Sequence, residues 1–202
     1  MSVKKVAGVI LAGGAGTRLG GEKALLPFAG GTLLDAVIAR VRPQISLLAL
    51  NVSGSDAELY RSRHSSYPVL GDVYPERVGP LAGVIAGLEW ARTLADTESL
   101  ATFPCDTPFL TRDLVAQLIA VAGDVPVFAH DGNRLHGVCA VWPLSCLERL
   151  REGVEAGHLR SLHSAMETLG CQTCHIEADA HAFFNINTRG DLARAEELAR
   201  GR

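Results

Sequence analysis

Val6-Ala-Gly-Val-Ile-Leu11, followed directly by Ala12-Gly-Gly-Ala-Gly-Thr-Arg18-Leu-Gly-Gly-Glu-Lys23, is the stretch whose reading decides the fold. Six residues with no polar side chain suit a central strand covered by helices on both faces, as parallel sheets are. The glycines that follow cannot continue a strand. They let the backbone turn successive N–H groups toward one point, which makes an anion-binding concavity. Arg18 and Lys23 add positive charge to that loop, and Lys23 is the one lysine of the chain away from its N-terminus. A triphosphate fits this pattern, with a plain flexible loop as the alternative. A dinucleotide fingerprint does not fit, because Leu19 stands where Gly or Ala is required. Nor does a Walker loop, because Glu22-Lys23-Ala24 stands where Lys and then Ser or Thr are required.

Outward from this opening, short apolar runs alternate with helical stretches, which predicts an α/β protein with a mostly parallel sheet. Helices are expected at 32–42, 56–63, 80–94, 111–121 (capped by Thr111), 144–151, 159–169 and 189–199. Further strands are expected at 46–51, 68–71, 99–103, 125–129, 137–142 and, as the last strand, 174–176, after which a compact, strand-like aromatic stretch at 182–187 leads to the closing helix. With 202 residues and neither repeats nor linkers, a single domain over 1–202 is the simplest organisation.

Composition narrows the class of partner. A formal charge of −3 speaks against nucleic acid or an anionic membrane surface. No apolar run approaches the roughly 20 residues that a bilayer crossing needs. Val6 to Leu11 is too short for a secretory core, so a cytoplasmic protein is expected. Five scattered cysteines are compatible with reduced thiols. Cys171-Gln-Thr-Cys174-His175 matches a haem-attachment spacing, but the segment also reads as a strand, and no second ligand pair completes a zinc site.

Ligands bind open α/β sheets at the carboxyl ends of the strands. Gly13 and Gly14, Asn51, Asp72 and Asp106 all fall at such ends. Asp106, in Phe103-Pro-Cys-Asp106-Thr-Pro, follows a buried strand directly and suits a magnesium ion, which takes one or two carboxylates plus phosphate oxygens. The alternative is a turn residue. Asp72 suits hydrogen bonds from guanine or ribose, or a surface turn, and Asn51 is a candidate for ordering the nucleotide. Gly79-Pro80-Leu-Ala-Gly83 opens a helix where another backbone or a ligand approaches closely. Asn185 and Asn187, flanking Ile186 ahead of the cap candidate Thr188, are candidates to face the site together. His136, Arg134 and Arg160 are further candidates to meet an acceptor phosphate.

The opening Leu11-Ala-Gly-Gly with Thr17-Arg-Leu-Gly and Lys23 resembles the nucleotidyltransferases of the nucleotide-diphospho-sugar type. Together with Gly79-Pro-Leu-Ala-Gly83, Pro104-Cys-Asp106-Thr-Pro108 and Asn185-Ile-Asn187-Thr188, the chain resembles the molybdenum cofactor guanylyltransferases over almost its whole length. That resemblance implies a three-layer sandwich with a Rossmann-like sheet. It implies GTP binding at Leu11, Ala12, Gly13, Lys23, Asn51, Asp72 and Asp106, extended here to the adjoining Gly14, with Asp106 also holding Mg2+. Arg18, Lys23 and Asp106 would carry catalysis, and Gly79, Pro80, Asn185 and Asn187 would contact the acceptor. The implied reaction moves GMP from GTP onto the terminal phosphate of molybdopterin or its molybdenum form, with cofactor-delivery proteins as partners. The chain departs from the family pattern at Glu22, where Asp is usual, and at His136-Gly137, where His-Pro is common. A cytidylyltransferase, a sugar-1-phosphate nucleotidyltransferase and a non-catalytic nucleotide-binding chaperone are the rival readings.

Overall fold

The structure, a computed structural model, describes residues 5–13, 22–52, 57–74 and 78–201. Its seven-stranded sheet contains β1 (Lys5–Leu11), β4 (Leu48–Val52), β5 (Val69–Gly71), β6 (Thr97–Pro104), β7 (Val127–His130), β8 (Leu135–Pro143) and β9 (Gln172–His175). Across the sheet the order is β5-β4-β1-β6-β8-β7-β9. Only β8 runs against its neighbours; the β5–β4–β1–β6 pairs and the β7–β9 pair are parallel. A small antiparallel hairpin, β2 (Pro27–Phe28) and β3 (Gly31–Thr32), lies apart from it.

Alternate side chains of the sheet enter two different cores, as the period of two along a strand requires. Ile10, Leu50, Phe103 and Val141 pack with α1 (Leu33–Val41) and α4 (Leu114–Ala120). Val9, Ala49, Leu100 and Trp142 pack with α3 (Pro80–Arg92), α5 (Cys146–Glu155) and α6 (Leu162–Leu169). The result is the expected three-layer α/β arrangement. On the first face, α2 (Ala57–Arg63) buries Tyr60. The closing helix α7 (Arg189–Arg200) buries Ala195 with Phe28, Leu33 and Phe109. No helix among the described residues is long and apolar enough to cross a membrane.

Local chemistry accounts for several boundaries. Thr32 caps α1 through a reciprocal pair with Asp35: Asp35 N donates to Thr32 Oγ1 at 3.2 Å, and Thr32 N donates to Asp35 Oδ2 at 2.8 Å. Thr188 and Asp191 do the same for α7. The cap expected at Thr111 is not there. Helix α4 begins at Leu114, and Thr111 instead donates to Asp113 Oδ1 at 2.6 Å. Gln44, from a distant segment, takes over: its Oε1 accepts from Val115 N at 2.9 Å while its Nε2 donates to Thr111 O at 3.0 Å.

The aromatic stretch 182–187 is not a strand. Arg134 donates to Phe183 O and Ile186 N donates to Asp106 O, so its backbone groups are committed to loops rather than to a ladder. The last strand lies two residues earlier than expected, at Gln172–His175, in register with Val127–His130.

Candidate functional site

The register of the sheet brings the expected strand ends together. Leu11, at the end of β1, pairs with Asn51 on one side and Pro104 on the other. Ala12 N donates to Asn51 O at 2.8 Å, which carries the alignment one residue past the strand, to the exposed Gly13. Asp106 lies two residues beyond Pro104, on the same rim. Gly14 and Arg18 lie outside the described residues.

Lys23 and Asp106, 83 positions apart, meet here: Lys23 Nζ is 2.6 Å from Asp106 Oδ2, with side chains only 13 % and 17 % exposed. The same ammonium donates to Asn187 Oδ1 at 2.7 Å. Thr107 Oγ1 lies 3.2 Å from Asp106 Oδ1 and 3.0 Å from Asn185 Oδ1. Both asparagines therefore reach the site, although no strand presents them. Asn187 sits against Lys23, and Asn185 sits against the Asp106 loop. Thr107 was not singled out from the sequence; its position between two prolines was the available signal.

Asn51 is buried, and its amide nitrogen donates to Asp72 Oδ1 at 2.9 Å and to Leu70 O at 3.4 Å. Its amide hydrogens are thus spent on orienting Asp72 and on the backbone of β5. Helix α3 closes over Asn51 at Gly83, where a Cβ would lie 2.8 Å from Asn51 Cγ and 2.9 Å from Leu11 Cδ2. Gly79, with φ of 54°, turns the chain into α3, and Pro80 occupies its first turn. Gly79 and Pro80 are exposed, on the helix that packs against Asn51.

A cavity of about 250 Å³ opens beside Asp106 and Thr107, walled by Arg134, His136, Cys139 and Asn185. A second cavity, of about 490 Å³, shares Arg134 and Phe183 with the first. His136 lies flat on Phe183, with ring centroids 3.8 Å apart and planes 9° apart, and its Nε2 is 3.0 Å from Asp131 Oδ2. Burial pushes the His136 pKa down, against the opposing pull of Asp131. Asp131 is held well below the usual carboxylate range, first by the backbone N–H of Arg134 and then by that of Asn133. Arg160 is outside this wall; it donates to Gly157 O in its own turn. The His136–Phe183 stack had no sequence signal, since its partners are 47 residues apart.

The thiols near the site are not nucleophiles. Burial, helped by the charge of Asp106, pushes Cys105 up to about 12 and Cys139 further in the same direction. In the Cys171–His175 segment, Cys171 is exposed whereas Cys174 is buried with its Sγ 3.5 Å from Gln117 O. Among the described residues no three His, Cys, Asp or Glu side chains form a metal-binding group. The groups around Asp106 are hard oxygen donors: its own carboxylate, the Thr107 hydroxyl and the Asn185 and Asn187 amide oxygens. That set fits a hard ion such as Mg2+ completing its shell with water and phosphate, and does not fit a soft-ligand metal.

Residues 8–170 match the family described as the MobA-like NTP transferase domain. A protein of Mesorhizobium japonicum named molybdenum cofactor guanylyltransferase is 38 % identical over 207 residues, covering 96 % of both chains. A protein of the same name from Cereibacter sphaeroides is 39 % identical over 194 residues, again covering 96 % of each. Among solved structures, the molybdopterin-guanine dinucleotide biosynthesis protein A of Archaeoglobus fulgidus superposes with a TM-score of 0.76 at 24 % identity, over 97 % of this chain and 100 % of that one. A nucleotidyl transferase from Methanothermobacter gives 0.76 at 18 % identity, over 99 % and 100 %. At those identities the two structures speak for the fold.

Proposed function

The chain belongs to the MobA-like NTP transferase family, and from that premise we propose that it transfers GMP from GTP to the terminal phosphate of molybdopterin or its molybdenum form, releasing pyrophosphate. The observation that carries the site assignment is the 2.6 Å meeting of Lys23 and Asp106 at the rim where β1, β4 and β6 end. Cation and carboxylate stand close enough to serve one triphosphate.

In the reaction an oxygen of the acceptor phosphate attacks the α-phosphorus of GTP, and the bond from that phosphorus to the pyrophosphate oxygen breaks. The attacking oxygen is already ionised, so no side chain has to take a proton from it. Catalysis then consists of bringing two anions together and stabilising the charge that develops. Lys23 and Arg18 draw in the phosphates, and the backbone N–H groups around Gly13 and Gly14 receive them. Asp106 would hold Mg2+, which would supply positive charge to offset the charge of the transfer. Asp72, oriented by Asn51, accepts hydrogen bonds from the nucleoside. The acceptor enters from the other side of Asp106, along the cavity walled by Arg134 and the His136–Phe183 stack. With burial depressing its pKa, His136 presents a neutral flat ring there, and Arg134 supplies the cation.

On this reading residues 1–202 act as one nucleotidyltransferase domain in the cytoplasm, where the thiols stay reduced, and the product passes to cofactor-delivery proteins. The deciding experiment supplies α-labelled GTP, Mg2+ and molybdopterin, with CTP as the control. Label in a pterin dinucleotide from GTP and not from CTP is expected. Equal labelling from CTP would assign a cytidylyltransferase. Nucleotide binding without pyrophosphate release would leave only a chaperone.

A further inference from the structure

The Lys23 ammonium is shared between two acceptors of different charge, Asp106 Oδ2 at 2.6 Å and Asn187 Oδ1 at 2.7 Å. The other Asp106 oxygen faces the Thr107 hydroxyl at 3.2 Å, so both carboxylate oxygens are engaged by groups of this chain. Asn187 is exposed, yet its backbone is fixed on both sides. Its own N–H donates to Asp191 Oδ2 at 3.0 Å, the carboxylate that also caps α7, and Ile186 N donates to Asp106 O at 3.0 Å. The amide oxygen is therefore presented to Lys23 by a braced segment rather than by a free loop.

We propose that Asn187 is a positioning residue for Lys23, and that the Lys23–Asp106 pair keeps a divalent cation off Asp106 until a triphosphate draws the ammonium away. This rests on the reading that Lys23 and Asp106 face one triphosphate. A divalent ion needs its carboxylate oxygen at roughly 2.1 Å, and an ammonium already bonded to that oxygen blocks the approach by contact and by like charge. A triphosphate competes for the ammonium with denser negative charge than a single carboxylate offers. When Lys23 leaves Asp106, Asn187 keeps a second hand on it. Being neutral, the amide orients the ammonium toward the phosphates without holding it as a carboxylate would. The consequence is an order of binding in which the metal arrives with the nucleotide and not before it.

The probe is Mn2+, with the unbound ion followed by electron paramagnetic resonance, and a GTP analogue carrying a methylene between its α- and β-phosphorus so that no transfer occurs. Asp106→Ala gives the background from other carboxylates, and melting temperatures check that each variant is folded. Without nucleotide, Lys23→Met is expected to bind Mn2+ at least about fivefold tighter than wild type, since the competing cation is gone. Asn187→Ala, which leaves Lys23 wholly on Asp106, is expected to bind Mn2+ no tighter than wild type. Asn187→Ala should weaken the analogue by about fivefold in the wild-type background and by nothing further in Lys23→Met, because the residue acts through Lys23. Lys23→Met binding Mn2+ no tighter than wild type overturns the exclusion of the metal. A loss from Asn187→Ala that persists undiminished in Lys23→Met overturns the positioning role and returns Asn187 to a direct ligand contact. Failure of the triphosphate reading would look different: wild type would not bind the analogue at all, while the Mn2+ contrast between wild type and Lys23→Met would remain.

Discussion

Replacing Gly83 by alanine tests whether the close fit of α3 on Asn51 serves the nucleotide side of the site. A Cβ at this position would lie 2.8 Å from Asn51 Cγ and 2.9 Å from Leu11 Cδ2, inside van der Waals contact. Asn51 has little freedom to yield, because its amide nitrogen is bonded to Asp72 Oδ1 and Leu70 O. Overpacking of this kind costs about 1–3 kcal/mol. The better helix propensity of alanine returns about 1 kcal/mol. Displacing the Asn51–Asp72 hydrogen bond costs about 1 kcal/mol more. A net loss of about 2 kcal/mol corresponds to a melting temperature lower by about 4–8 °C in a chain of this size. One turn further on, Gly87 offers the matched control: a Cβ there would lie 2.8 Å from Leu100 Cδ2 and 2.9 Å from Val9 Cγ1, with no polar group involved. Gly87→Ala should therefore cost about 1 kcal/mol and leave GTP affinity unchanged. Gly83→Ala should weaken GTP about fivefold, the equivalent of one misdirected hydrogen bond. Calorimetric melting and GTP titration on both variants read these quantities. The reasoning fails if Gly83→Ala binds GTP like wild type, or if Gly87→Ala weakens GTP just as much.

Asp106→Ala should stay folded and lose far more than tenfold in turnover; a loss within tenfold, about 1.4 kcal/mol of barrier, would remove the carboxylate from the mechanism. A thiol reagent at pH 8 should modify Cys171 quickly and the four buried cysteines only on unfolding, so a second fast thiol in the folded protein contradicts the burial described for them. Asp131 titrates lower in the folded chain than its ordinary 3.8, so its contribution is present at neutral pH and is lost as pH falls through and below that value. Asp131→Asn should therefore flatten the acid limb of a urea-midpoint against pH curve below about pH 4, and an unchanged limb would refute the role of the 131–134 turn.

The rim proposed for the nucleotide was legible because it is written in local signals. Val6 to Leu11 is apolar throughout, glycines follow, and Asn51, Asp72 and Asp106 each stand just past an apolar run. Strand direction is not written that way: an apolar run such as Val138 to Trp142 has the same composition whichever way it lies, and β8 is antiparallel because a short turn at 131–134 folds it back on β7. The cap of α4 was missed for a related reason. Thr111 has the right chemistry, but Gln44, some 70 positions away, holds the first turn instead. Phe183 and Phe184 look like strand residues by composition, but Ala182 N and Phe184 N bond back to Asp179 O and His181 O in a turn, and Arg134 and Asp106 claim further groups of that backbone. Asn187 was expected near the acceptor; its bond to Lys23 depends on α7 docking, which no spacing reveals.

The reversed direction of β8 also governs how such a protein can diversify. Because β8 starts at the rim where the parallel strands finish, the 131–134 hairpin delivers Arg134 and His136 beside Asp106 without any crossover helix. On the proposed function, the wall that meets the incoming substrate is built mainly from this hairpin, with Phe183 and Asn185 added, while the wall that grips the nucleotide is assembled from several strands and α3. On that reading, exchanges at the tip fall first on the acceptor's wall, which gives a descendant lineage a route to a new recipient molecule while it inherits its donor.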